Sequence, residues 1–301
     1  MQGWADLSDA DVLSISSGPL TARINPQGAE LWSLTDAGDR EYMTDADPAF
    51  WTGHAPLLFP IVGALNGGRY RLGDATYELP RHGFARTRRF DVAERRADFA
   101  RFRLTDDAET RAVYPFAFVL DMAFRLDGWT LRMTASVTNP GDTALPFSFG
   151  YHPAFAWPLP GGAAKDAHRI RFETAEPGPL RLLDAASGLV VPEPRATPVA
   201  GQEIAPDAAL FAADALVWDE LASRALTWGA PGGASLAVAF PDTPMLGLWQ
   251  KPGAAYLCIE PWQGHADPQG YAGDFRDKPG VVSLPPGQTR RFRMDVTVRP
   301  A

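Results

Sequence analysis

The feature that most constrains this chain is a repeated alternation of apolar and polar residues with a period of two. Within residues 116–126, Phe116, Phe118, Leu120, Met122, Phe124 and Leu126 share one face of an extended segment. In residues 130–139, Leu131, Met133, Ala135 and Val137 alternate with Arg132, Thr134, Ser136 and Thr138. Near the C-terminus, Phe292, Met294, Val296 and Val298 oppose Arg291, Arg293, Asp295 and Thr297. Each pattern predicts an antiparallel strand with one buried and one wetter face.

Turn signals separate these runs: Asp127-Gly128, residues 139–142 (NPGD), 231–233 (PGG) and 285–288 (PPGQ). The 28 glycines and 28 prolines are spread along the chain, which favours many turns over long helices. Only short helical pieces are expected, such as residues 206–211, and residues 158–168 read as a surface loop. The expected fold is all-β, a large antiparallel β-sandwich with few short helices. No shift in composition marks a boundary, so one domain over residues 1–301 is expected.

A formal charge of -8 argues against nucleic acid and against anionic membranes as partners. Cys258 is the single cysteine, so an internal disulfide is excluded and no oxidising compartment is indicated. The N-terminal stretch lacks a basic segment followed by an apolar core, and no apolar run approaches the ~20 residues of a membrane helix. A cytoplasmic location is therefore expected.

Three segments each place a titratable side chain beside or just after a proline. Residues 255–260 read as a strand that puts Glu260 on the face of Tyr256 and Cys258, with Leu257 and Ile259 opposite. Pro261 marks the expected strand end, because proline cannot donate to a ladder. An ionised carboxylate in an apolar wall is costly without partners. Glu260 is thus either a structural acid that caps or pairs, or a base tuned by its surroundings. His152 repeats the arrangement, at the expected last strand position before Pro153. His82-Gly83 falls in a turn after Pro80, with Arg81, Arg86, Arg88 and Arg89 nearby. The plain reading of that segment is a solvated basic turn, and the functional one is a hydrogen-bond donor held by a glycine-dependent turn. His54 is a candidate for support behind a site, whereas His168 and His265 carry no expected role.

Taken in order, PLLFPIVG (56–63), HGFAR (82–86), FGYHPAF (149–155), DALVWDELAS (214–223) and LGLWQKPGAAYLCIEPW (246–262) resemble the aldose 1-epimerase, galactose mutarotase-like family, in its LacX-like branch. The resemblance covers most of the chain. It implies a β-supersandwich and cofactor-free interconversion of the α and β anomers of a free hexose. It makes Glu260 the general base, His152 the general acid, His82 a sugar-orienting residue and Asp214 a ligand for sugar hydroxyls. Relatives carry an arginine after the FPIVG-like strand. Here Ala64 follows, so Arg69 and Arg71 are the nearest replacements, and Arg86 is a further candidate for gripping the substrate.

Mutarotation needs one group to take the C1 hydroxyl proton while another protonates the ring oxygen. A carboxylate and an imidazolium suffice, with no metal or cofactor. If the two face each other across the sugar, mutual attraction is expected to lower the glutamate pKa and raise that of the histidine. Aromatic rings suit the C–H faces of a sugar, and Trp262 or Trp249 is the expected platform, with Tyr151 and Phe84 also available. Competing readings are a carbohydrate-binding sensor, a hexose-6-phosphate epimerase gripping phosphate through the arginines, and a metal hydrolase using His82, His152 and Glu260. No short zinc-site spacing supports the last.

Overall fold

The computed structural model describes residues 12–301, and the N-terminal export-signal reading falls largely on residues outside this range. Two large antiparallel sheets dominate it. The nine-stranded sheet centres on Thr130–Thr138, flanked by Val119–Asp127 on one side and Thr289–Arg299 on the other. The expected hairpin forms at Asp127-Gly128, where Gly128 has a φ of 52° that costs glycine no steric penalty. The alternating faces appear as written: Phe118 through Leu126, Leu131 through Val137 and Phe292 through Val298 are buried at every second residue. Phe116 is the exception, preceding the strand and lying only partly buried.

The eight-stranded sheet carries Val190–Arg195, Leu180–Leu183, Leu216–Trp218, Met245–Trp249, Tyr256–Gln263, Phe149–Tyr151 and Leu57–Leu58 in that spatial order. Its eighth strand, Ala154–Ala156, also pairs with Tyr256–Gln263. Inner-face residues of both sheets, including Met133, Phe292, Leu248, Leu257 and Ile259, merge into one continuous core. The two sheets thus form the large antiparallel β-sandwich expected from the sequence.

Tyr151 ties the two sheets together. Its ring is in the core, and its hydroxyl accepts from the Ala135 amide at 2.9 Å while donating to the Phe292 carbonyl at 2.8 Å. Ala135 and Phe292 face each other in the nine-stranded ladder. A buried polar tip therefore has both partners satisfied, as burial demands.

Three local expectations change. Tyr256–Gln263 does not stop at Glu260 but runs on through Pro261. The Ile259 amide donates to the Pro153 carbonyl, and alternation puts the Pro261 nitrogen on that same edge. There the neighbouring chain has divided into Phe149–Tyr151 and Ala154–Ala156, so no ladder bond is asked of the proline. Phe149–Tyr151 ends one residue before His152, which sits in that division. Finally, residues 158–168 contain a short 3-10 turn at Lys165–Ala167, and His168 after it is buried, accepting from the Leu159 amide. The 206–211 piece forms as a 3-10 turn at Ala208–Phe211, while the α-helix Ala108–Val113, capped by Asp107, had no expectation attached.

Among the described residues no helix is long and apolar enough to cross a membrane.

Candidate active site

A cleft of about 360 Å³ opens on the outer face of the eight-stranded sheet. Alternation along Tyr256–Gln263 sends Leu257 and Ile259 into the core and Cys258, Glu260 and Trp262 to this face. Glu260, His152, His82, Asp214, Trp262 and Arg86 all line the cleft, although they come from four separate segments of the chain. Arg69 does not. It lies on the hairpin Arg69–Leu72/Ala75–Glu78, ion-paired with Glu78 at 2.9 Å on an exposed surface. The chain leaves the cleft at Gly63, which packs so closely on Ala266 that a Cβ would come within 2.5 Å of it. Arg71 follows Arg69 away, and Arg81 occupies the cleft instead.

His152 and Glu260 touch directly. Nε2 of His152 is 3.2 Å from Oε2 of Glu260, and both side chains are almost entirely buried. The expectation that they face each other across a sugar is therefore replaced by adjacency on one wall. The expected pKa directions reverse as well. Burial pushes the Glu260 carboxyl well above its usual range, helped by the nearby Asp214 carboxylate and opposed by Trp262 and Arg81. Burial lowers His152 to about 3, with Arg86 and Arg81 adding to the effect. Desolvation of each charge outweighs their mutual attraction. The contact pair consequently holds one proton over a wide pH range.

His82 is fixed by its backbone. Its φ is 69°, in the left-handed region, and its amide donates to the Gly63 carbonyl while the Gly63 amide donates to its Nδ1 at 3.1 Å. Gly83 follows at φ 71°, where a Cβ would sit 2.3 Å from the Phe59 carbonyl oxygen. Burial holds the His82 imidazole well below its ordinary pKa, and with Nδ1 accepting, the neutral ring carries its proton on Nε2. The ring meets His152 edge-on at 5.8 Å. The glycine-dependent turn expected here is present.

Asp214 also sits at positive φ, 96°, just after the turn Ala208–Phe211, and its Oδ1 accepts from the Ala215 amide at 2.8 Å. Strain of this kind in a non-glycine residue concentrates at functional positions. Arg86 donates to the Arg81 carbonyl at 3.1 Å, so part of its guanidinium steadies the residue before His82.

Trp262 lies in a trough made by two glycines on the flanking strands. A Cβ at Gly150 or Gly247 would come within 2.6 Å of its indole. Of the other expected aromatic walls, Trp249 lines the cleft, whereas Tyr151 and Phe84 belong to the core. The ring closest to His152 is Trp51, at 4.9 Å, which also meets Trp249 edge-on at 5.6 Å. Its loop is held by Lys251, which donates to the Phe50 carbonyl. His54, three residues on, stacks on Trp32, and its amide bonds the buried Glu30, so it braces this loop from behind.

Trp51, Lys251 and His265 line the cleft although sequence reasoning gave them no role, and Arg81 is one of the arginines named there for a phosphate. His265 donates from Nδ1 to the Ala266 carbonyl at 2.6 Å, and burial lowers its pKa. Its neutral ring therefore offers an acceptor at Nε2, the complement of the His82 donor. Its only signal was two residues' distance from the Trp262 strand.

The metal triad considered from sequence, His82 with His152 and Glu260, is not the grouping found. The ligand atoms that converge, all within 4.8 Å of one another, belong to His152, Cys258 and Glu260.

Comparison with known proteins places these features in context. A family model described as aldose 1-epimerase matches residues 11–294. The chain is 31% identical over 288 residues to the chromosomal protein LacX of Lactococcus lactis, covering 93% of this chain and 96% of that protein. A galactose mutarotase related enzyme from Lactobacillus acidophilus superposes with a TM-score of 0.89 at 32% identity, over 96% of this chain and 97% of that one. A galactose mutarotase-like protein from Lactobacillus casei gives 0.89 at 28% identity, over 96% and 100%.

Proposed function

The chain belongs to the aldose 1-epimerase family, and on that premise we propose that it interconverts the α and β anomers of a free aldose, using Glu260 and His152 to move the protons. Membership carries the coarser reading, an isomerase acting on a sugar. The finer reading rests chiefly on the 3.2 Å contact between His152 and Glu260. In a cyclic hemiacetal the C1 hydroxyl oxygen and the ring oxygen are bonded to the same carbon. The group that removes a proton from one and the group that protonates the other can therefore stand side by side, as these two do.

In the forward direction Glu260 takes the C1 hydroxyl proton and His152 protonates the ring oxygen. The C1–O bond of the ring breaks, leaving an open-chain aldehyde. Rotation about C1–C2 presents the other face of the carbonyl, and closure returns each proton with the roles exchanged. One proton shared between the two groups is what this cycle requires. In the empty cleft burial favours that proton on Glu260. Sugar hydroxyls and the Arg81 cation then favour the carboxylate on binding, and the proton crosses the contact to His152.

His82 as donor, His265 as acceptor and Asp214 supply mixed polarity for ring hydroxyls, while Trp262, Trp249 and Trp51 supply apolar walls. Anomer exchange followed by NMR on freshly dissolved glucose and galactose tests the reading. Glu260→Gln and His152→Asn are each expected to slow exchange by roughly 10²–10⁴-fold. Exchange near the parent rate in either variant overturns the assignment. Sugar binding without any exchange supports the sensor instead.

A second reading, a phosphorylated aldose as substrate, is favoured by one observation. Arg81 lines the cleft with no carboxylate partner among the described residues, and Lys251 joins it there. A guanidinium fork suits phosphate.

A further inference from the structure

We propose that His152, Cys258 and Glu260 form a zinc site at the floor of the cleft, and that the ion acts as an inhibitor by occupying the two side chains the reaction uses. The inhibitory part rests on the epimerase reading above; the binding part does not.

The donor set is one nitrogen, one sulfur and one carboxylate oxygen, all within 4.8 Å of one another. Such a mixture suits zinc and its borderline-soft neighbours, whereas calcium and magnesium take oxygen alone. Nε2 and Oε2 at 3.2 Å already stand at about the spacing of two ligands on a tetrahedral zinc with bonds of about 2.0–2.1 Å. Sγ needs to close by roughly an ångström, given a zinc–sulfur bond of about 2.3 Å. Nδ1 of the His152 ring has no hydrogen-bond partner among the described residues, so aiming the ring at an ion breaks no bond there.

The charge balance favours the ion in this apolar setting. All three ligands bind a metal ion in their deprotonated forms. A divalent ion with a thiolate, a carboxylate and a neutral imidazole leaves a complex with no net charge, buried among Tyr256, Ala154, Ala254 and Trp51. Entry is from the cleft, which His152 and Glu260 line and beneath which Cys258 lies fully buried. A fourth position then faces the cleft, where water completes the shell in place of sugar. Three protein ligands and one open position also describe catalytic zinc sites, but here the ion consumes the acid–base pair.

The test uses the whole chain. After equilibration with zinc sulfate and dialysis against metal-free buffer, bound zinc is measured by atomic emission, and cobalt(II) is added separately to apo protein to seek a thiolate-to-cobalt charge-transfer band. The parent is expected to retain about one zinc per chain and to show the band. Cys258→Ala is expected to bind zinc at least about tenfold more weakly and to lack the band, because one of three ligands is gone. Its metal-free exchange rate should stay within about threefold of the parent, since the thiol does not reach the cleft; Cys258→Val serves if the alanine variant misfolds. Zinc should slow exchange in the parent, competitively with sugar, far more than in the cysteine variants. Zinc retained equally by parent and variants, or a cobalt complex without the band, overturns the site. Binding as expected in a protein that shows no anomer exchange leaves the zinc site standing and sinks the epimerase reading alone.

Discussion

The imidazole Nε2 of His152 rests 3.2 Å from Oε2 of Glu260, and burial holds both groups toward their uncharged forms. Adjacency and shared desolvation together leave the pair with a single proton between two acceptors. This is the relationship on which the pH behaviour of the protein turns.

The metal-free exchange rate should follow a broad bell. Its acid limb belongs to a second proton entering the pair near His152's depressed value of about 3, and its alkaline limb to loss of the last proton at Glu260's raised value. Profiles recorded with a chelator present test this. An acid limb at 6.5, the ordinary imidazole value, contradicts the burial argument.

Stability should carry the same signature with a definite sign. His152 is lowered in the folded state, so the stability it preserves is present above pH 6.5 and is lost as pH falls toward about 3. Unfolding free energies of the parent should decline across that window. His152→Asn should flatten the decline; an unchanged slope argues that other groups govern acid unfolding.

Tyr151→Phe removes a hydroxyl that serves Ala135 and Phe292 at once. Two buried backbone groups lose their partner, so a loss of about 1–3 kcal/mol in urea unfolding is expected. Because His152 follows directly in sequence, the turnover rate should fall more than the apparent affinity for sugar. A loss below about 0.5 kcal/mol, the low end of a net hydrogen bond, shows that water takes over the role.

Gly247→Ala should act on the sugar platform rather than on the protons. The added methyl meets the Trp262 indole at 2.6 Å and must push it from its trough. Weaker sugar binding, a changed tryptophan fluorescence spectrum and an unshifted pH profile are expected. An unaltered spectrum with normal binding shows that Trp262 can relax without consequence.

The two arginine positions make opposite predictions. Arg69→Ala breaks only an exposed ion pair with Glu78 and should leave exchange unchanged and stability within about 1 kcal/mol. Arg81→Ala should reduce binding, with the larger loss for a phosphorylated aldose if the second reading holds. Equal losses for free and phosphorylated sugars favour the free aldose.

Much of this was legible in the chain because strand geometry projects one residue in two to a given face. Leu257 and Ile259 point inward and Glu260 outward for that reason alone, and the His82-Gly83 turn followed from its residue types. The pairing of His152 with Glu260 was reachable only as a family likeness, since no local rule brings residues so far apart together. Loop geometry stayed hidden. Arg69 was nearest in sequence to the missing arginine, yet the chain turns at Gly63 and carries it elsewhere. Trp51, Arg81 and His265 arrive on connections whose paths are set by contacts rather than by periodicity. The pKa directions failed because pairwise attraction can be read from residue types, whereas the cost of dehydration depends on how deeply a wall closes.

Pro261 gives the sheet a permanent seam. Having no amide hydrogen, it leaves the edge beside the divided strand with nothing to zip, so the backbone cannot heal over the place where His152 emerges. Any other residue at 261 would introduce a buried donor into that gap with no ladder partner to receive it. The opening through which His152 reaches the cleft is thereby kept by a main-chain atom that has no hydrogen to offer.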